Sequence, residues 1–580
     1  MEKHASPVPP RYRTRRLWVA AASAAWLAAC SGPLERRAPA HGDSQEPPRQ
    51  VPAVPLTPAL LRDILLAEIA RQRGHPQVAA QAMLRAALAS RDPRLVERAT
   101  RLAVYAKRRD DAIRAARLWT ELEPNRPLPR ETLGALLAFA GREGAARAEF
   151  ERALTLHRGD LEGAYRRIGK VLRQVPDRPA ALRLLRHLVA RHPDVAAGRL
   201  ALAQLAGVRA LDLALSEVER ALALRPDWEA AALYKAQLLL AAKRREDFDR
   251  FCREYLEAYP EAGRLRLQYA RALLDQGRHR AARAQFAELV AQQPDDTDAL
   301  FAVALLSIQV GDLGAAERHL KRVLALNPNN DQARLYLGQL AAERKDYRRA
   351  IDWYRQVRAE GLRFEVQLRI ASAMAAGGEV DEALAHLARL EPANDAQRVQ
   401  RALTEEEILR QAGRLREAMA LLDRHLRELP GDKDLLYARA LLAVELGQLA
   451  RHEADIRKLL AKDPDNAQAL NALGYTLADR TDRYQEAYRL IKRALELRPG
   501  DPFILDSMGW VEYRLGRLET ALDYLRRAWK KRRDAEIGAH LGEVLWRLGR
   551  REEALAVWRQ AEALDPDNKV LRETRQRLAP

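Results

Sequence analysis

Cys30 is the residue whose type and position most clearly predict chemistry in this chain of 580 residues. It directly follows the apolar run Leu17–Ala29, and four arginines lie between residues 11 and 16, just before that run. The run has 13 residues, which is too short for a membrane-spanning helix and typical of a secretory signal peptide. Because a thiolate is a good nucleophile, a cysteine placed directly after such a run is the first candidate for chemistry in this chain.

The residues around Cys30 resemble the lipobox of bacterial lipoproteins. Leu27–Ala29 precede the cysteine and Ser31 follows it. The resemblance implies that the signal peptide, residues 1–29, is removed and that lipid on Cys30 anchors the protein. Since Ser31 is not an aspartate, resemblance to lipoprotein sorting in Gram-negative cells implies the outer membrane, on its periplasmic face. Two alternatives stay open: a cysteine buried at the end of an apolar helix, and twin-arginine export through Arg15–Arg16.

The rest of the sequence offers no catalytic constellation. The 12 histidines are scattered, and His187 and His192 are five residues apart, so they do not share a helix face as a metal-binding pair would. No GxxxxGK[ST] phosphate loop occurs. We expect Cys252 to be a buried apolar side chain rather than a nucleophile, and Glu405–Glu407 to be the solvated start of a helix. The sequence therefore predicts a protein that is not an enzyme and holds no metal or cofactor.

A fixed period organises most of the chain. Four prolines stand 34 residues apart, namely Pro226, Pro260, Pro294 and Pro328. Each follows by 12 residues a position that is filled by Ala214, Phe248, Ala282 and Ala316 in turn. The same register continues through Ala80, Ala112, Ala146, Ala181, Ala350, Ala383, Ala418, His452, Ala487, Ala521 and Ala554. This period predicts about 15 stacked copies of one small supersecondary unit.

The best copy of the unit resembles the tetratricopeptide repeat (TPR). It runs from Leu470 to Pro499 and carries Leu470, Leu473, Gly474, Leu477, Ala487, Ile491, Ala494 and Pro499. Gly474 and Ala487 are small where the two helices of one repeat would cross, and proline ends the second helix. We therefore predict an all-α fold, a TPR-type α-solenoid in which helix-turn-helix repeats form a right-handed superhelix.

Composition, proline content and the repeat period suggest five segments. Charged residues make up 31% of the chain and aromatic residues 6%, and good helix formers dominate. After the signal peptide, residues 30–58 hold the lipidated cysteine and a proline-rich, extended tether. Degenerate TPR-like repeats are expected over 59–225, regular repeats over 226–566, and a C-terminal capping helix over 567–580. This organisation leaves no room for a separate catalytic domain.

The net charge of +19 does not indicate nucleic-acid binding. Arginine alternates with acidic residues on the predicted outer faces of the helices. The basic block Lys530–Arg533 falls at the end of a predicted helix, where the helix dipole favours cations. We expect no nucleic acid among the partners.

The most distinctive stretch, 471–546, predicts a partner-binding groove. In a TPR the inner face comes from the first helix of each repeat. The residues at the corresponding positions are Asn471, Tyr475, Phe503, Asp506, Trp510, Tyr513, Glu536, Glu543 and Trp546. Aromatic rings and short polar groups on a concave face suit a peptide segment of a protein partner. The alternative is that these rings pack between repeats.

Residues 471–516 and their continuation into 539–546 also resemble a family of large TPR outer-membrane lipoproteins of Gram-negative bacteria. The resemblance covers roughly residues 464–566, the lipobox and the overall plan. Some members are adaptors of a periplasmic carboxyl-terminal processing protease that acts on cell-wall hydrolases. The resemblance implies a lipid-anchored scaffold that binds periplasmic proteins, including such a protease and its substrates, with the membrane reached through Cys30. An alternative function for a TPR lipoprotein of this organisation is that of a structural component of an envelope assembly or exopolysaccharide export complex.

Overall fold

A computed structural model describes residues 54–157 and 159–579. The predictions that concern Cys30, the signal peptide and most of the tether lie outside these residues. The described residues form α-helices joined by short turns, with two short 3₁₀ segments, Gly207–Ala210 and Glu360–Leu362, and without a β-strand. The predicted all-α, TPR-type fold is confirmed.

The first of two compact units comprises the described residues 54–312. Its helices are α1 Pro58–Gln72, α2 Pro76–Ser90, α3 Pro93–Tyr105, α4 Arg109–Leu122, α5 Pro127–Phe139, α6 Glu143–Leu156, α7 Leu161–Leu172, α8 Arg178–Arg191, α9 Ala196–Ala206, α10 Leu211–Leu224, α11 Glu229–Ala241, α12 Arg245–Ala258, α13 Gly263–Asp275, α14 His279–Gln292 and α15 Thr297–Gln309. Helices α1 to α14 make seven helix-turn-helix pairs, and α15 has the place of a first helix.

The second compact unit comprises residues 313–579. Its helices are α16 Leu313–Leu326, α17 Asp331–Glu343, α18 Tyr347–Arg355, α19 Arg363–Ala376, α20 Val380–Ala388, α21 Asp395–Gln411, α22 Leu415–Glu428, α23 Lys433–Glu445, α24 Leu449–Lys462, α25 Ala467–Arg480, α26 Tyr484–Leu497, α27 Pro502–Arg514, α28 Leu518–Lys531, α29 Ala535–Arg547, α30 Arg551–Leu564 and α31 Lys569–Leu578. After α16, seven pairs lead to α31, which packs on α29.

The 34-residue register marks the tightest packing in every pair. All fifteen of its positions, from Ala80 to Ala554, lie in second helices, and their side chains are at most 2% exposed. A Cβ on Gly474 would lie 2.6 Å from the Ile491 side chain and 3.1 Å from the Ala487 carbonyl oxygen. The small residues are therefore required by the close approach of the two helices of a repeat.

In four repeats, an arginine lies six residues after the proline that ends the preceding helix, and it makes the same hydrogen bond each time. Its guanidinium donates to the carbonyl oxygen of that proline in the pairs Pro124 and Arg130, Pro193 and Arg199, Pro260 and Arg266, and Pro328 and Arg334. In two of these repeats it also donates to a glutamate of the following helix, from Arg130 to Glu149 at 3.0 Å and from Arg199 to Glu217 at 2.9 Å. In these two repeats the arginine therefore links the turn that precedes a first helix to the second helix of the same repeat.

Two sequence expectations have clear structural outcomes. Cys252 is fully buried in the apolar core, as expected, and burial raises the pKa of its thiol. The expectation for Glu405–Glu407 is wrong. These residues lie in the third and fourth turns of α21, which begins at Asp395, and Glu405 and Glu406 are only 8% and 7% exposed. Burial raises the pKa of Glu406 to about 7, against the opposing charge of Arg410.

Candidate functional site

The candidate site is built on α25, α27 and α29, the first helices of the last three repeats. Each helix begins at a side-chain cap. Asn466 accepts a hydrogen bond from the amide of Ala469, and Asp501 and Asp534 accept from amides two residues further on, at 2.9 and 3.0 Å. Such caps satisfy amides that have no partner within the helix. They fix the starting point, and so the register, of each helix that carries the candidate residues.

Tyr475 and Glu536 join two repeats that are not neighbours. The Tyr475 hydroxyl on α25 donates to Glu536 Oε1 on α29 at 3.1 Å, although a complete repeat lies between them in sequence. Both residues are buried, at 2% and 7% exposure. This hydrogen bond links the first helices α25 and α29 directly, past the repeat that separates them in sequence.

An ion pair lies beside this link. His540 Nδ1 is 3.0 Å from Asp506 Oδ2, and both side chains are at most 2% exposed. The imidazole is stacked on the Trp510 ring with a centroid separation of 4.3 Å, and the Tyr475 ring lies at 6.1 Å. Three helices thus meet through one layer of aromatic and charged side chains.

Burial and charge shift two pKa values in this layer. Burial raises the pKa of Glu536 to about 8, against the opposing charge of His540. Burial by itself would lower the pKa of His540, but Asp506, and then Glu536, raise it to about 9. Both shifts favour the protonated form, which is the neutral carboxyl group for Glu536 and the imidazolium for His540.

Helix α31 packs on α29 and is joined to it by a hydrogen-bonded ion pair. Glu543 is fully buried and accepts from Tyr513 Oη at 2.9 Å and from Arg577 Nη2 at 2.6 Å. Arg547 Nε donates to the Tyr513 hydroxyl at 3.3 Å. The Glu543 side chain is 1% exposed and the Arg577 side chain is 53% exposed. Removing the guanidinium would leave the buried carboxyl group short of a partner, so Arg577 holds the last helix against α29.

Three of the predicted groove residues are only partly buried. The Arg532 guanidinium lies 4.8 Å from the Phe503 ring centroid, and Arg551 lies 5.2 Å from that of Trp546. Trp546 also stacks on Trp558 of α30 at 5.6 Å. Tyr513 is the third partly buried member. We call Phe503, Tyr513 and Trp546 the aromatic rim.

The predicted set is thus divided into two groups. Tyr475, Asp506, Trp510, Glu536 and Glu543 belong to the buried layer or its link to α31, so packing between repeats accounts for them. Asn471 is also buried, and its Oδ1 has no hydrogen-bond partner. Whether any of the set binds a partner stays a prediction.

Sequence reasoning missed His540 and Arg577. His540 stands one position after the inner-face position of its own helix, so the TPR pattern assigns it no role. The available signal was its distance of 34 residues from Asp506, equal to the repeat length, which places opposite charges on adjacent first helices. The same spacing separates Glu543 from Arg577.

The described residues also bear on two other classes of function. Within residues 54–157 and 159–579, no group of three or more His, Cys, Asp and Glu side chains is arranged to hold a metal ion. None of the helices in that part of the chain combines the length and the apolar character that a membrane span requires.

Stacked helix-turn-helix pairs with small residues at most of the crossings define a helical-repeat protein. Family models of the tetratricopeptide repeat match residues 249–306, 307–363, 437–502 and 507–569. The TPR repeat-containing protein PA4667 of Pseudomonas aeruginosa is 37% identical over 486 residues, which are 83% of this chain and 82% of that protein. The chain belongs to the family of TPR repeat proteins.

Solved TPR structures are similar to parts of the chain. A thermophilic TPR protein of Thermus thermophilus is 26% identical, with a TM-score of 0.29, over 31% of this chain and 98% of that protein. A tetratricopeptide repeat protein of Parabacteroides merdae is 16% identical, with a TM-score of 0.33, over 48% of this chain and 97% of that one.

Proposed function

We propose that this protein is a lipid-anchored scaffold on the periplasmic face of the outer membrane, where its TPR array binds protein partners. The observations that carry the proposal are the helix-turn-helix pairs of both compact units and the residues around Cys30 that resemble a lipobox. TPR helices offer extended surfaces to other proteins. A lipid at Cys30 would keep such a surface close to the membrane.

The aromatic rim is the proposed contact surface for a partner in the last repeats. Phe503, Tyr513 and Trp546 retain exposed ring area, and each adjoins an arginine. Aromatic side chains and arginine are the residue types that dominate binding energy at protein interfaces. The buried layer behind the rim keeps the three helices at fixed separation, so the rim is held in place before binding.

A more specific form of the proposal is an adaptor that recruits or activates a carboxyl-terminal processing protease on cell-wall hydrolases. It is supported by the resemblance of residues 471–516 to lipoproteins of that kind. Turnover of a hydrolase by the purified protease should rise when this protein is added. Unchanged turnover would reject the adaptor role and leave the scaffold proposal in place.

Affinity capture from cross-linked envelopes tests the scaffold itself. We expect reproducible protein partners with the unaltered chain and at least a severalfold loss with Trp546→Ala. Trp353→Ala, which alters a partly buried tryptophan on the second helix α18, is the matched control. Loss of polymer secretion without any change in hydrolase levels would instead favour the export-complex alternative. Capture of no reproducible partner would contradict the proposal.

The anchor needs a separate test. Cys30→Ala should shift the protein out of the outer-membrane fraction of a density gradient, because a lipid chain can no longer be attached. An unchanged distribution would reject lipidation at this cysteine.

A further inference from the structure

The first helix, α1, is apolar on two opposite faces. Its inward face packs through Leu60, Ala67 and Ala70, which are at most 7% exposed. The outward face presents four large apolar side chains to solvent, namely Leu61, Leu65, Leu66 and Ile69, with exposures of 42%, 50%, 38% and 47%. A helix that needed to pack on only one side would carry polar residues on the other. The outward face of α1 therefore has the composition of a buried surface.

Exposed apolar side chains are concentrated at this end of the array. Of the large apolar residues that are exposed among residues 54–157 and 159–579, those beyond position 128 are only Val208, Leu224 and Leu564. Isolated exposed apolar residues are ordinary on protein surfaces, whereas a cluster marks an interaction site. The cluster on α1 is thus a local feature and not a property of the whole array.

Positive charge is concentrated in the same place. Residues 58–111 contain eleven lysines and arginines against six acidic residues, so this short segment contributes +5 to the formal net charge of +19. Arg62 on α1 and Arg73, the residue directly after α1, are exposed, at positions adjacent to Leu65, Leu66 and Ile69. Arg62 Nη2 also lies 3.7 Å from Asp63 Oδ1. The acidic Asp63 is turned inward and is paired with Arg85 of α2 at 3.0 Å.

We propose that the outward face of α1 lies on the surface of a membrane leaflet that contains anionic phospholipid. The leucines and Ile69 enter the boundary between headgroups and acyl chains, and Arg62 and Arg73 lie among the phosphates. Leucines on an exposed face can enter the boundary between headgroups and acyl chains, and basic residues add attraction to anionic headgroups.

The position of α1 in the chain supports a membrane as the occupant. Pro58 is 28 residues after Cys30, the proposed lipid attachment site, and no other helix of the array is closer in sequence. This step rests on the proposed anchor, whereas the apolar and basic face is a property of α1 itself. Docking would hold the first repeat against the bilayer instead of leaving it at the end of a free tether.

A site-specific fluorophore tests the proposal on the full chain without its lipid. In a Cys30→Ser background, Ile69→Cys places one label on α1, because Cys252 is fully buried and stays unlabelled in the folded protein. Leu564→Cys, at a side chain that is 52% exposed at the far end of the array, is the matched control. The vesicles contain phosphatidylglycerol with phosphatidylethanolamine, or phosphatidylcholine alone.

We expect the label at position 69 to shift to shorter wavelength, and to be quenched by brominated acyl chains, only with the anionic vesicles. The label at position 564 should not respond. Leu65→Asp should lower the partition of the position-69 label by about tenfold, the effect of removing one leucine from the apolar phase. Circular dichroism verifies that each variant is folded.

Three results would overturn the proposal. They are no response at position 69 to anionic vesicles, equal responses at positions 69 and 564, and a shift at position 69 that grows with protein concentration without vesicles. The last result would assign the face to a second copy of the chain. None of these measurements depends on a protein partner or on lipidation, so a failure here is distinct from a failure of the scaffold function.

Discussion

The hydroxyl of Tyr475 donates a hydrogen bond to Glu536, 61 residues further along the chain, at 3.1 Å. In a simple repeat array each unit touches only its neighbours. Here a side chain of one repeat reaches the repeat after next, past the ion pair of Asp506 and His540. The last three repeats are therefore linked by direct interactions as one block.

Tyr475→Phe should destabilise the C-terminal unit by about 1–2 kcal/mol, because it removes one hydrogen bond and leaves a buried carboxyl group unsatisfied. Chemical denaturation, followed by helical circular dichroism, measures the effect. Tyr488→Phe, on the second helix α26 beneath Arg517, should change stability by no more than about 0.5 kcal/mol. Equal effects of the two substitutions would show that the link between α25 and α29 contributes nothing.

The stability of this block should fall as pH rises from neutral to about 9. The folded-state pKa of His540 is raised from 6.5 to about 9, so its contribution is complete below 6.5 and is lost as pH rises through 9. The pKa of Glu536 is raised from 4.5 to about 8, so its folded form also loses a favoured proton over this range. Glu536→Gln, which keeps the neutral shape, should reduce the slope of Tm against pH. An equal slope in the unaltered protein and in Glu536→Gln would contradict a raised pKa of Glu536 in the folded state.

Gln285→Glu should stabilise the first unit. Arg266 is 5% exposed, donates to the Gln285 amide oxygen at 3.0 Å, and has a buried Nε without a partner. Burial lowers the pKa of this guanidinium. A carboxylate at position 285 would repeat the pairing of Arg199 with Glu217 and add about 1–2 kcal/mol, the difference between a charged and a neutral hydrogen bond.

Glu217→Gln is the converse of that change and should lower stability by a similar amount. Both variants are measured by denaturant unfolding at neutral pH and again at high salt, which weakens exposed pairs more than buried ones. Loss of stability in Gln285→Glu would show that the site does not accept a second charge.

Gly542→Ala should be among the most damaging small substitutions in the chain. A Cβ at this position would lie 2.0 Å from Trp558 Nε1, inside the core of the last repeat. We expect a loss of about 1–3 kcal/mol through forced movement of the indole. Gly144→Ala meets no atom within 4 Å in the first turn of α6 and should be neutral or slightly stabilising, as measured by thermal unfolding.

The repeat register could be predicted from sequence because it depends on steric requirements that recur. Ala487 and Gly474 are small because two helices cross there, the same requirement recurs in most copies, and a period sums many weak signals. His452 occupies a register position although it is not small. It is still only 1% exposed, and its Nδ1 lies 2.9 Å from the Ala440 carbonyl oxygen. Packing inside a repeat is a local property, so the sequence reports it.

The buried layer could not be predicted because it depends on how successive repeats are placed. The TPR pattern assigns Tyr475 and Trp510 to an inner face but does not say how near α25 comes to α29. That separation decides whether the rings meet a partner or each other. The burial of Glu406 was missed for a related reason, since the start of α21 at Asp395 is set by its cap at Asn394 and not by the charge of the run.

Site-specific photo-crosslinking in cells tests the central claim, that the last repeats bind a protein partner through the aromatic rim. A photoreactive amino acid replaces Trp546 in one strain and Trp353 in another, each with Cys30 intact. We predict that position 546 yields a discrete cross-linked band of constant identity by mass spectrometry, and that position 353 does not. Cross-links at neither position, or equal cross-links at both, would contradict the claim.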